Sequence, residues 1–225
     1  IQGAAGVLIP PSTYWPEIQR ICRKYGVLII SDEVICGFGR TGNWFGFETF
    51  GYEPDIINMA KGLSSGYLPI GAVAFSEDLI KPLFEKGGDF NHGMTYDGHP
   101  VASAVAIKNI EIIEDEKLVE RVAKLGPYFN KALASLNDHP IVGETRSVGL
   151  IGAIELSKNK AKRERFHDSG RVGTICRDHS FNTGLVMRAC WDTMVLAPPF
   201  CITEKQIDEL ITLARTALDK TYEDV

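Results

Sequence analysis

The sequence is short of several things, and each shortage removes a class of function. No apolar run in its 225 residues approaches the length of a membrane-spanning helix, so no membrane partner is expected. Lysine and arginine (24) are outnumbered by aspartate and glutamate (29), giving a net charge of −5. No basic field is therefore available to attract nucleic acid or an anionic membrane surface. The five cysteines (Cys22, Cys36, Cys176, Cys190 and Cys201) are odd in number and form no CxxC pair. Reduced thiols in a cytoplasmic protein are expected from that, and a metal site is not. Internal repeats and low-complexity tracts are missing as well. The first residues, IQGAAGVLIPP, show neither the basic nor the long apolar region of a signal peptide. They also lack an initiating methionine, and the chain opens inside what reads as the approach to a strand.

What is present is a 44% hydrophobic sequence with α/β grammar, enough to bury a sizeable core. Ala5–Ile9 reads as a strand closed by Pro10 and Pro11. Ser12 or Thr13 is placed to cap a helix with Trp15, Ile18, Cys22 and Tyr25 on one face, which Gly26 then ends. Val27–Ser31 is a continuous apolar run, as in a strand buried on both faces. Further short strands lead into Lys61 and over Gly71–Phe75, so a parallel α/β sheet is predicted. Pro100 opens a helix whose stripe is Ala102, Val105, Ala106, Ile110 and Ile113, and a second helix follows over about Glu116–Leu136. Beyond it the spacing predicts a strand over SVGLIGAIEL, a helix over Val172–Phe181, and strands in GLVMRA and TMVLAPP. A last helix carries the Thr203/Gln206 capping box. Two domains are predicted, residues 1–112 and a small α+β domain over 113–225. The basic run KNKAKRER (158–165) reads as a solvated loop.

The chemistry concentrates between Val27 and Lys61. Two short apolar runs there deliver Asp32 and Lys61 at strand ends, where an open α/β sheet places its ligand chemistry. A carboxylate and an amine in one crevice suit pyridoxal phosphate: the amine links to the aldehyde and the carboxylate keeps the pyridine nitrogen protonated. Taken singly, each residue has a plainer reading. Asp32 suits a strand-end turn or a helix cap, and Lys61 a surface lysine. The small residues of KGLSSG after Lys61 argue for close approach of a ligand, and desolvation around the amine would favour its nucleophilic form. Gly37 to Gly42 match GxGxxG, but DEVIC separates them from the strand and NWFGFETFGYEPD reads as turn-rich rather than helical. A nicotinamide-dinucleotide site is rejected on that ground.

SDEVICGFGRTG, PDIINMAKGLSSGYLPIGAV and FNHGMTYDGHP, in that order, resemble the class III (omega) aminotransferases, which are fold-type I enzymes dependent on pyridoxal phosphate. The resemblance covers essentially the whole chain. DEVICGFGRTG is most similar to the pyruvate-dependent branch acting on diamines and omega-amino acids. Members are about twice as long, so the resemblance implies the C-terminal half of such a polypeptide. The other half would supply the phosphate-gripping loop and a stacking aromatic, and a chain without them is expected to bind cofactor weakly.

The resemblance further implies a role for each matching residue. Lys61 is the Schiff-base lysine and proton carrier, Asp32 the pyridine-nitrogen partner, and Val34 the apolar contact on one ring face. Thr95, which alone suits a turn or cap, reaches the cofactor phosphate of the neighbouring subunit in a homodimer or higher homo-oligomer. Arg188, which alone suits a surface strand end, binds the acceptor carboxylate through its planar fork. Trp191 departs from the family pattern, which usually has a small residue there, and a ring at that point would restrict Arg188 or reshape the donor pocket. Arg40 reads as structural, and Glu33 as a residue making only local polar contacts. The implied reaction moves an amino group from a terminal amine (putrescine or another diamine, an omega-amino acid, or taurine) to pyruvate. An aminomutase or a decarboxylating aminotransferase on the same scaffold is the alternative, and a catalytically incomplete fragment is the alternative for these residues alone.

Overall fold

The computed structural model describes all residues from Ile1 to Val225, which divide into two compact units. One comprises Pro10–Val119, and the other Ile1–Ile9 together with Glu120–Val225. The division thus falls after Val119 rather than at the expected 112/113, because Ile113 and Val119 pack into one cluster with Phe38, Leu63 and Ala106. The first nine residues group with the second unit instead of the first. Arg146 explains this, since its guanidinium donates to the carbonyls of Gly6 (2.6 Å) and Val7 (3.0 Å).

The Pro10–Val119 unit contains α1 (Tyr14–Tyr25), β1 (Ile30–Asp32), α2 (Gly46–Phe50), β2 (Ile56–Met59), β3 (Ala72–Phe75), α3 (Glu77–Glu85) and α4 (Pro100–Asp115). Its sheet has the order β1-β2-β3 and is mixed: β1 and β2 are parallel, and β3 is antiparallel to β2. The expected strand at Ala5–Ile9 does not form. Gly6 and Val7 take φ of 95° and 55°, and both of their N–H groups donate to the Gly3 carbonyl, which turns the chain. α1 ends as expected at Gly26, in the left-handed conformation (φ 64°). Thr13 precedes it without a side-chain cap, and Tyr25 is exposed.

The run Val27–Ser31 is not buried on both faces. Ile29 and Ser31 are buried, whereas Val27, Leu28 and Ile30 are 50–57% exposed. That alternation is the mark of a sheet covered on one side only. Val73 and Phe75 of β3 are exposed as well, so an apolar sheet face stands bare within these residues.

The other unit holds α5 (Leu118–Ala134, entering from the first unit), β4 (Val142–Val148), β5 (Ile151–Leu156), α6 (Arg171–Asn182), β6 (Arg188–Cys190), β7 (Thr193–Leu196) and α7 (Glu204–Glu223). Its sheet is fully antiparallel with the order β4-β5-β7-β6. SVGLIGAIEL is therefore not one strand. It folds back at Gly149 (φ 54°), between β4 and β5, and the apolar GLV of GLVMRA stays outside β6. α7 opens on the expected capping box, with Thr203 Oγ1 accepting from the Gln206 N–H and Gln206 reaching back to the Thr203 N–H.

The core of this unit is made by Phe129 and Leu133 of α5, Leu150 of the turn between β4 and β5, Ile154 and Met194 of the sheet, and Ile207 and Leu218 of α7. Gly152 on β5 faces it with no room to spare. A Cβ there would lie 2.6 Å from Leu133 Cδ2 and 3.1 Å from Phe129 Cε1. Gly152→Ala is accordingly expected to destabilise the protein by about 1–3 kcal/mol, read as a lower denaturant midpoint, without altering its secondary-structure content.

Candidate active site

Parallel pairing of β1 with β2 decides where the polar residues emerge. The register sets Ile30 against Ile56 and Asp32 against Asn58, so both strands end at one edge of the sheet. Asp32 is the last residue of β1. Lys61 follows the end of β2 and opens a single 3₁₀ turn, Lys61–Leu63. Adjacent strands lie about 4.8 Å apart, which brings the two segments to neighbouring positions on that edge. Asp32 is exposed, and its Oδ1 accepts from the Val34 N–H at 3.0 Å, which turns the chain and leaves Oδ2 available. Val34 itself is half-buried. Lys61 is exposed in this chain, so these residues do not supply the desolvation expected around its amine.

Lys61 also carries a backbone cost. Its φ is 45°, a left-handed conformation that disfavours an L-residue by about 1–2 kcal/mol. The surrounding contacts hold the turn in that shape. Leu63 N–H donates to Ala60 O (3.0 Å), Ser64 N–H to Lys61 O (3.2 Å), and Ser64 Oγ to Leu68 O (2.7 Å). Gly62 presses on the loop from β1, and a Cβ on it would lie 3.1 Å from Phe38 Cβ and 3.2 Å from Gly37 O.

Glu33, between Asp32 and Val34, is 1% exposed and its carboxylate is fully used. It accepts from Ser31 Oγ (2.9 Å), Gly46 N–H (2.7 Å) and Phe47 N–H (2.9 Å). Ser31 Oγ is shared with Tyr52 Oη at 2.7 Å, and burial pushes the Tyr52 hydroxyl up to about 12. Glu33 thus makes the local polar contacts expected of it, on a scale the sequence does not show. It ties the end of β1 to the start of α2. That geometry also disposes of the GxGxxG reading. A helix does open near the glycines, contrary to expectation, but it has only five residues and Glu33 already takes its first two N–H groups. Nearby Arg40 is half-buried, and desolvation lowers its guanidinium to about 10.

Sequence reasoning passed over Asn109. It lies on α4, is 8% exposed, and its Nδ2 donates to Gly62 O (2.8 Å) and Leu63 O (3.2 Å). A signal was there to be read: Asn109 sits three residues after Ala106 and four before Ile113, a polar residue on the apolar stripe.

The remaining predicted residues lie elsewhere. Thr95 is exposed in the loop before α4, within a turn where Asp97 N–H donates to Met94 O (3.0 Å) and Met94 N–H to Asp97 Oδ2 (2.7 Å). Arg188 belongs to the other compact unit. It is exposed on the edge strand β6, paired with Val195. Trp191 begins the two-residue connection from β6 to β7 with φ 56°, an outlying conformation for a bulky side chain, and is 70% exposed. Asp192 beside it accepts from the N–H groups of Gly170 (3.0 Å) and Gly173 (2.9 Å) at the start of α6. A Cβ on Gly173 would overlap the Trp191 carbonyl oxygen.

Asp32, Val34 and Lys61 thus share one sheet edge, and the donor set fits pyridoxal phosphate. It offers a primary amine for an aldehyde, a carboxylate oxygen without a competing protein donor for a protonated ring nitrogen, and a small apolar side chain beside them.

Residues 1–218 match the family described as Aminotransferase class-III. The putrescine–pyruvate aminotransferase of Pseudomonas aeruginosa is 56% identical over 222 residues, covering 98% of this chain and 48% of its own. The mitochondrial gamma aminobutyrate transaminase 1 of Solanum lycopersicum is 42% identical over 228 residues, with 100% and 44% covered. Among solved structures, the omega transaminase from Pseudomonas jessenii in complex with PMP aligns with a TM-score of 0.92 at 42% identity, over 99% of this chain and 50% of that one. The chain spans about half the length of the curated relatives it matches. The strand-end pair, the family match over nearly all residues and the shared α/β fold lead to one assignment: the chain belongs to the class-III aminotransferases.

Proposed function

We propose that the protein is a pyridoxal-phosphate-dependent aminotransferase that moves an amino group from a terminal amine to pyruvate. The observation carrying this reading is the placement of Asp32 and Lys61 at the ends of neighbouring parallel strands. When bound, pyridoxal phosphate supplies an electron-withdrawing ring that stabilises negative charge at the carbon losing its proton. Lys61 would hold the cofactor through its amine, and once released by the incoming substrate it would take the proton from that carbon and deliver it to the carbon that the cofactor's aldehyde contributes. Asp32 would hold the proton on the ring nitrogen through an ion-paired hydrogen bond. Val34 would pack on one ring face and keep water from it.

Thr95 lies on an exposed loop, and in our reading it serves the phosphate of a second copy in a homodimer. Arg188 would receive the carboxylate of the keto acid, and Trp191, three residues on, would limit the space for the donor. Identity to a putrescine–pyruvate aminotransferase supports a diamine donor, and identity to gamma aminobutyrate transaminases supports an omega-amino acid. The five free cysteines suit a reducing compartment, and we place the protein in the cytoplasm.

The first test is the visible spectrum of the protein with added pyridoxal phosphate, before and after borohydride. A visible band that borohydride converts to a covalent adduct on Lys61, missing in Lys61→Ala, is expected. No such band in the unsubstituted full-length polypeptide would sink the proposal, whereas its absence from these 225 residues alone would mark them as catalytically incomplete. Asp32→Asn should retain the band and lose on the order of 10²–10⁴ in turnover, since the ring nitrogen would no longer be held protonated. Arg188→Ala should raise the KM for pyruvate by roughly 10–100-fold while leaving that for a diamine within a factor of a few, the loss expected from a charge-assisted bond of about 1.5–3 kcal/mol. Steady-state kinetics with each substrate varied in turn would check both.

A further inference from the structure

We infer that Asn109 is a positioning residue for Lys61, holding from α4 the strained turn that presents the lysine. The inference rests on the role proposed for Lys61. The turn has little of its own to keep it in place. Lys61 stands at φ 45°, and only two i→i+3 hydrogen bonds close the turn, at 3.0 and 3.2 Å. The next two carbonyls, of Gly62 and Leu63, point toward α4. One side-chain amide takes both, with Asn109 Nδ2 at 2.8 and 3.2 Å. Both partners are acceptors, so the amide orientation is forced by chemistry. Two bonds from one planar group to successive carbonyls fix the tilt of both peptide planes, which begin one residue after Lys61.

The anchor is rigid. Asn109 is 8% exposed, and its neighbours on the helix face, Ala106 and Ile113, pack in the same cluster as Leu63 of the turn and Phe38 of the facing loop. Gly62 completes the clamp, since a Cβ on it would lie 3.1 Å from Phe38 Cβ, tighter than an ordinary contact. The turn is therefore gripped from both sides, by Asn109 through its carbonyls and by Phe38 through contact. Asn109 would act on the lysine only through the backbone, by keeping its amine aimed at the reacting carbon.

Pyridoxal phosphate and pyridoxamine phosphate separate this role from a general contribution to folding, because only the former bonds to Lys61. The experiment compares the unsubstituted protein with Asn109→Asp, which keeps the shape and turns a donor into an acceptor, and Asn109→Leu, which removes the polar group without adding charge. The rate of borohydride-trapped adduct formation at Lys61 is read by peptide mass, and pyridoxamine phosphate affinity by titration. Both variants are expected to slow adduct formation roughly tenfold, the scale of losing one to two buried hydrogen bonds, with pyridoxamine phosphate affinity held within about twofold. Adduct formation at the original rate in either variant overturns the inference. So does an equal fall in both readouts, which would make Asn109 merely structural. Should Asn109→Asp fail to fold, Asn109→Leu decides alone. No adduct at Lys61 even in the unsubstituted full-length polypeptide would instead overturn the functional reading, and the inference with it.

Discussion

Parallel hydrogen bonding between β1 and β2 is the constraint on which the candidate site depends. A parallel pair sends both carboxyl ends to the same edge, so whatever residues follow the two strands become neighbours. An antiparallel pair would have sent Asp32 and Lys61 to opposite edges. The pairing is short, only three residues on β1, and short parallel ladders are weak by themselves. Glu33 compensates. Its buried carboxylate spans from Ser31 in the middle of the strand to the first two amides of α2. The peptide between them, which carries Asp32, has little freedom left. The lysine side is secured differently, by a backbone turn wedged between Phe38 and Asn109. One edge thus holds two functional groups by two independent means, a buried charge and a packed turn.

Much of this was legible in the sequence, for identifiable reasons. Apolar runs that end abruptly on Asp32 and Lys61 announced the strand ends, since a buried strand has no other use for such residues. α4, α6 and α7 were legible from their periodicity and capping chemistry, both of which are local. Errors arose where the outcome depends on distant partners. Val27–Ile30 looks like a strand buried on both faces, yet how many faces are covered is decided by whatever else packs there. GLIG in SVGLIGAIEL hid a turn inside an apolar stretch, because Leu150 is a core residue as well as part of the connection. Ala5–Ile9 failed as a strand because Gly6 and Val7 turn back onto the Gly3 carbonyl, and Arg146, far along the chain, binds the carbonyls of that turn. Glu33 and Asn109 escaped for the same cause. Their partners are backbone groups, and no residue type marks a backbone carbonyl in advance.

The family assignment and the geometry account for different features of the protein. Identity over nearly the whole chain fixes the fold and the family. It does not say why a lysine should stand in a left-handed turn or why a carboxylate should be buried next to the exposed Asp32. Those follow from the hydrogen bonds themselves. The backbone pays at Lys61, and neighbouring contacts offset it.

The hairpin at Trp191 and Asp192 separates what its backbone needs from what its side chain does. Asp192 and Gly173 lock the path of the chain, the one by hydrogen bonds to α6 and the other by leaving room for a carbonyl. The Trp191 ring takes no part in that lock and projects into solvent. This makes position 191 an interchangeable attachment point: smaller or polar groups, glycine above all given the φ of 56°, can be installed there without redrawing the loop. A protein that must accept amines of different length would find variation cheap at this one point and expensive at the residues on either side of it.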